Sequence, residues 1–176
     1  MGLNLQVALI FDIIYVMKIN YNHVEKIIEK LASQNQTVSF AESCTGGRIA
    51  AAFTSVSGAS AVLDGSVVTY SNAIKHTWLN VDNEILEKYG AVSSQCVAQM
   101  LEGIKDISGA DYALAVSGIA GPDGGTEEKP VGTVYIGLQT PFIQEVFQCF
   151  FHGEREHIQE QSTAFAIEKI AEVLEI

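Results

Sequence analysis

Thr37-Val-Ser-Phe-Ala41, Glu42-Ser-Cys-Thr-Gly-Gly47 and Arg48-Ile-Ala-Ala-Ala-Phe53 follow one another without a break. An apolar run, a short polar turn and a helix-like run in that order predict strand, tight turn and helix, the repeating step of an α/β layered domain. The turn carries two hydroxyls and a thiol where a helix begins. Free backbone N–H groups and the positive end of the helix dipole point to the same place. A nucleophile and an anion-stabilising site can therefore share it. On these residues alone the plainer reading is preferred: Ser43 and Thr45 cap the helix, and Gly46 and Gly47 permit the bend.

The flanking sequence extends the pattern. Tyr21 to Gln34 places Val24, Ile27, Ile28 and Leu31 at helical spacing, with Glu25, Lys26 and Glu29 outward. Ala61 to Tyr70 reads as a buried strand at least in its second half. Asn72–Leu79 and Asp82–Tyr89 read as short helices, the second capped by Asp82. A longer helix runs from Ser93 or Ser94 to about Ile107. Tyr112 to Ser117 is a continuous apolar strand, and a glycine-rich loop, Gly118 to Pro130, follows it. Gly132–Gln139 and Glu145–Phe151 pair as a hairpin around Thr140-Pro141, and a last helix runs from Arg155 to about Leu174. The early strands are expected to be mostly parallel, with the hairpin adding antiparallel character.

Composition bounds the function. The chain has 176 residues, enough for one domain with a sizeable core, and a formal net charge of −11. Such an acidic protein repels phosphate backbones, which argues against a nucleic-acid partner. Its three cysteines, Cys44, Cys96 and Cys149, form no Cys-x-x-Cys pair, and its four histidines are scattered. Neither a disulfide framework nor a metal site is indicated, no cofactor is expected, and the chain reads as reduced and cytoplasmic. Leu3 to Val16 is apolar but is interrupted by Asp12 and is shorter than the ~20 residues that span a bilayer. No basic residue precedes it, so it is a poor signal peptide. Residues 1–16 read as an appendage (an added strand, an oligomer contact or a mis-assigned start), and residues 17–176 as a single domain.

Three loops leave strand ends, where such sheets hold ligands. They are Glu42–Gly47, the stretch from Thr69 through Tyr70, Ser71 and Asn72 to Lys75, and Ser117–Gly125. Four glycines and a proline within nine residues suit the third to close backbone approach to a ligand. A partly buried Lys75 could take the proton of a serine hydroxyl, with Tyr70 orienting either partner. Read alone, Lys75 is placed instead at the solvated surface. Glu42 is a general base or a carboxylate bonded to helix N–H groups. Cys44 is a low-pKa nucleophile or a small buried residue. His76, His152 and His157 lie in no comparable loop. Glu127, Glu128 and Lys129 read as a solvated turn.

Glu42-Ser-Cys-Thr-Gly-Gly47, Thr69-Tyr-Ser-Asn72 with Lys75, Gly90-Ala-Val-Ser93, and Ser117-Gly-Ile-Ala-Gly-Pro-Asp-Gly-Gly125 with Glu128-Lys-Pro-Val-Gly-Thr133 occur in this order. Together they resemble the CinA C-terminal-domain family, whose characterised members are nicotinamide-nucleotide amidases. The likeness covers residues 22 to 174. It implies an α/β class fold, a three-layer α/β/α sandwich with a mixed, mostly parallel sheet, and a homodimer or higher homo-oligomer. It also implies metal-free hydrolysis of nicotinamide mononucleotide to nicotinic acid mononucleotide and ammonia. Carried over, Ser43 is the nucleophile, Lys75 its base and Tyr70 an assistant. Backbone N–H groups around Thr45 and Gly46 hold the oxyanion. Thr45, Gly46, Gly47, Asn72, Ser117, Gly118, Gly121, Gly124, Gly125 and Arg155 bind substrate. Gln159 and Glu160 stand where relatives often carry an arginine pair. That departure keeps a second reading in view, a nucleotide-binding or regulatory module without chemistry.

Overall fold

A computed structural model describes the backbone of residues 5–13 and 17–176, and side chains from residue 17 onward. One sheet organises the chain. Its strands are β1 (Leu5–Ile13), β2 (Val38–Glu42), β3 (Leu63–Val68), β4 (Tyr112–Gly118), β5 (Thr133–Gln139) and β6 (Gln144–Phe151), in the spatial order β1-β6-β5-β4-β2-β3. β2 runs parallel to both β3 and β4, whereas β5 is antiparallel to β4 and to β6. From β2 to β6 the sheet is thus half parallel and half antiparallel. With the parallel pairing of β1 on β6, three of the five described pairings are parallel and two antiparallel, so the sheet is mixed and its antiparallel character enters with the hairpin, where β5 alone runs against the other strands. The hairpin of β5 and β6 reverses direction through only four residues, 140–143, and two-strand reversals that short are always antiparallel. Of the expected appendage, residues 1–4 and 14–16 lie outside the described residues. Leu5–Ile13 pairs parallel with β6 at the sheet edge.

Among the described residues six α-helices cover the sheet: α1 (Tyr21–Gln34), α2 (Arg48–Thr54), α3 (Asn72–Leu79), α4 (Asn83–Lys88), α5 (Ser94–Ser108) and α6 (Arg155–Val173). The strand alternation decides which face each meets. Val38 and Phe40 of β2 with Leu114 and Val116 of β4 join a core with α1, α2 and α6. Ala41, Ala113 and Ala115, on the opposite face, join a second core with α3, α4 and α5. The first face carries large side chains, with the Phe40 and Phe53 rings edge to face at 4.8 Å. The second carries alanines, which let α5 lie close to the strands.

Close approach continues outward from α5. A Cβ added at Gly103 would overlap the Leu79 carbonyl, the last residue of α3. That carbonyl is backbone and has little room to retreat, so α3 and α5 must separate. Gly103→Ala is expected to cost about 2–3 kcal/mol, read as a fall in urea midpoint. It should also impair any chemistry that depends on α3. An unchanged midpoint would show that the helices have slack.

Among the described residues no helix is long and apolar enough to cross a membrane.

Candidate active site

Because β2 lies between β3 and β4 and runs parallel to both, the carboxyl ends of all three lie at one edge of the sheet. The loops after Glu42, Val68 and Gly118 therefore meet. Ser43 follows β2 directly. Its side chain does not cap α2, nor does that of Thr45. The helix begins only at Arg48, after Gly46 and Gly47 at φ 62° and 96°, and Gly47 brings no side chain to the cap. The capping group is Glu42. One carboxylate oxygen accepts from the N–H groups of Gly47 at 2.9 Å and Ile49 at 3.2 Å, and the other from Ala50 at 3.0 Å. Fully buried, this carboxylate occupies the positive end of the α2 dipole. The cap leaves Ser43 free of a structural duty and removes Glu42 from the candidate bases.

Glu42→Gln keeps the shape but turns an NH2 toward donors. We expect a loss of roughly 2–3 kcal/mol, seen as a melting temperature lower by about 5–10 °C. A melt within 1 °C of wild type, taken as about the error of the method, would contradict this assignment.

Ser43 instead accepts a hydrogen bond from Lys75. The Lys75 Nζ lies 3.0 Å from Ser43 Oγ and 2.7 Å from the Thr69 carbonyl oxygen. Lys75 is 1% exposed, so its placement at the surface is overturned. The cause is α3. Ser71 caps it, its Oγ accepting from the Ile74 N–H at 3.3 Å, and that start turns position 75 inward with Leu79. Burial holds the Lys75 amine below the ordinary lysine value of 10.5, with Cys96 and Cys44 opposing the shift. Cys44 is also buried. Desolvation pushes its thiol up to about 12, so the helix start does not make it a thiolate.

Ser43, Lys75, Tyr70, Ser117, Gly118 and Arg155 share one cavity of about 200 Å3, with Cys44, Ala91, Val92 and Ala120. Tyr70 is mostly exposed and stands at its rim. Arg155 Nη2 donates to the Tyr70 hydroxyl at 2.9 Å, and Nη1 donates to the Gly121 carbonyl at 2.7 Å. The first residue of α6 thus ties together the loops after β3 and β4. Ser117 Oγ donates to the Ala91 carbonyl at 2.8 Å.

Other expected site residues stand outside this lining. Thr45 is buried beneath the turn, and its hydroxyl has no hydrogen-bond partner. The N–H of Gly46 donates to the Ser43 carbonyl at 3.1 Å and that of Gly47 to Glu42, so neither is open to an oxyanion. Asn72 opens α3 on the exposed side. Gly121 approaches through its carbonyl, held by Arg155, while Gly124 and Gly125 lie further along the exposed loop. A larger cavity, about 680 Å3, adjoins the first across Ala120 and Arg155. Arg48, Glu154, Glu156 and Gln159 also line it. Gln159, noted in the sequence only as a departure, donates its amide to the Cys44 carbonyl at 2.7 Å and steadies the turn after β2. The Ala91–Val92 wall had a sequence signal in the Gly90–Ser93 motif, but no residue type there suggests a role. Among the described residues no three His, Cys, Asp or Glu side chains group as a metal site.

Comparison with known proteins places this geometry. The CinA C-terminal domain model matches residues 20–174. The chain belongs to that family. A CinA-like protein of Pseudothermotoga lettingae is 47% identical over 150 residues, which are 85% of this chain and 37% of the relative. One from Thermosipho melanesiensis is 46% identical over 167 residues, 93% of this chain and 40% of the relative. The chain thus spans about two fifths of the length of these CinA-like relatives. Among solved structures it is similar to the competence/damage inducible protein CihA from Agrobacterium tumefaciens, with a TM-score of 0.84, 38% identity, and coverage of 89% of this chain and 95% of that one. A CinA superfamily protein from Klebsiella pneumoniae 700603 gives 0.84 at 35% identity, covering 88% and 97%. The CinA C-terminal domain therefore occurs in proteins of this chain's size as well as in longer ones.

Proposed function

We propose that this CinA-family domain is an amidase that hydrolyses nicotinamide mononucleotide to nicotinic acid mononucleotide and ammonia, in pyridine-nucleotide recycling. One observation carries the reading: a buried lysine with a depressed pKa lies 3.0 Å from a serine hydroxyl in a cavity. A structural lysine has no need of that partner, and a serine nucleophile needs that base.

In the neutral amine, an N–H still donates to the Thr69 carbonyl, and the lone pair accepts the Ser43 proton. Ser43 Oγ then bonds to the carboxamide carbon, and the carbonyl electrons move onto oxygen. Of the donors expected near that oxyanion, the Thr45 amide is a candidate, since those of Gly46 and Gly47 are committed elsewhere. The Lys75 ammonium returns its proton to the leaving nitrogen, ammonia departs, and an ester to Ser43 remains. Water, deprotonated by the same amine, hydrolyses it. Tyr70, held by Arg155, orients the substrate at the rim. The cavity over Ser43 takes the carboxamide, and the larger adjoining one takes the rest of the nucleotide. The domain works as a cytoplasmic homo-oligomer that takes a small nucleotide and no nucleic acid.

Gln159, an uncharged residue beside the larger cavity, keeps a second reading in view, a module that binds a nucleotide without turning it over. Ammonia release from nicotinamide mononucleotide, in metal-free buffer, separates the two. Steady release supports the amidase. Binding by calorimetry without release selects the module.

A further inference from the structure

Four consecutive carbonyl groups, from Tyr89 to Val92, each accept a hydrogen bond from a side chain. Lys129 Nζ donates to those of Tyr89 and Val92, at 2.7 Å each. Ser93 Oγ donates to that of Gly90 and Ser117 Oγ to that of Ala91, both at 2.8 Å. Residues 90–93 belong to no helix or strand, so no ladder fixes them. These side chains do. Ala91 and Val92 are also a wall of the cavity holding Ser43 and Lys75.

Lys129 reaches this segment from the far end of the glycine-rich loop and is half-buried, contrary to its reading as a solvated residue. Its own place is set by the turn it closes. The Thr126 N–H donates to the Lys129 carbonyl at 2.9 Å, and the Lys129 N–H donates to Thr126 Oγ1 at 3.0 Å. Holding a long side chain in one geometry costs rotamer freedom. Two short charge-assisted bonds offset that cost. The ammonium therefore staples one loop of the site to another.

We infer that Lys129 is a positioning residue: by holding Tyr89–Val92 against the glycine-rich loop it fixes the Ala91–Val92 wall against which the substrate sits. The inference rests on the amidase reading of the cavity, since a fixed wall matters when a ligand is held there. Lys129 itself touches no reacting atom.

The test compares the full chain with Lys129→Met and Lys129→Arg. Amide hydrogen exchange at residues 90–93 should quicken by about tenfold or more in Lys129→Met, with the interiors of β4 and α5 unchanged. Lys129→Arg should restore most of the protection, because a guanidinium can donate to both carbonyls. With nicotinamide mononucleotide, KM should rise about tenfold in Lys129→Met while kcat changes by less than about threefold. Unchanged exchange at 90–93 overturns the inference. So does a lower melting temperature with KM unchanged, which is what a purely structural lysine would give. If the wild type releases no ammonia, the amidase reading fails on its own. The dissociation constant of nicotinamide mononucleotide then decides: weaker in Lys129→Met and recovered in Lys129→Arg supports the positioning role, and equal values reject it.

Discussion

Ser43→Ala should lower kcat by a factor on the order of 10^4 to 10^6, the scale set by deletion of a serine nucleophile elsewhere. The substitution removes one oxygen from a residue that is already 7% exposed and makes no cap. Lys75 keeps its bond to the Thr69 carbonyl, and Glu42 still holds the turn. The folded protein should therefore melt within about 2 °C of wild type, a shift of less than 1 kcal/mol. Chemistry would be lost without loss of structure. Ammonia release and a thermal melt on the same preparation report both. Wild-type turnover in the variant would remove Ser43 from the mechanism, and Cys44, protonated at neutral pH, is a poor substitute.

Lys75→Met is the second large effect. Methionine fills similar volume but can neither take nor return a proton. Loss of a general base lowers turnover by about 10^2 to 10^4, and kcat/KM should fall by that factor. The pH dependence follows from the direction of the Lys75 shift. Only the neutral amine is a base, so wild-type kcat/KM should climb as pH rises through the Lys75 pKa. The midpoint of that climb should lie below the ordinary lysine value of 10.5. Stability moves in the same sense. The unfolded chain binds the proton more tightly than the native one, so between the depressed native pKa and 10.5 the unfolded state carries more protons. In that window stability rises with pH. Below it the buried charge is a fixed penalty. Lys75→Met should erase this slope and leave the protein at least as stable near neutral pH. Urea titrations at several pH values would read it directly, and a slope that persists in the variant would assign the titration to another group.

Local order was legible in the sequence where period and caps agreed. The α1 helix spans the residues its apolar spacing marked, and α3 matches Asn72–Leu79. The strand-end loops meet as the α/β alternation implied. The cap of α2 was read on Ser43 and Thr45 because hydroxyls are the commonest caps. Here Glu42 does that work across the turn. Lys75 shows the same limit. Residue type placed it in solvent, and only the contact of α3 with the turn after β2 buries it. Lys129 was misread for the same reason, its acceptors lying 37 and 40 residues away.

Arg48 and Arg155 border the larger cavity, and their hydrogen bonds go to uncharged oxygens of Thr45, Gly121 and Tyr70. Their charges are therefore not cancelled by those bonds. The molecule as a whole carries −11. Glu154 and Glu156 line the same cavity, so an anion approaching from bulk solvent meets repulsion first and attraction only where it reaches the two guanidinium groups themselves. Mobile ions screen beyond a Debye length of about 10 Å at 0.1 M, so they strip away the distant repulsion before they weaken the near attraction. Moderate ionic strength is therefore expected to ease the approach of an anionic ligand to the two arginines.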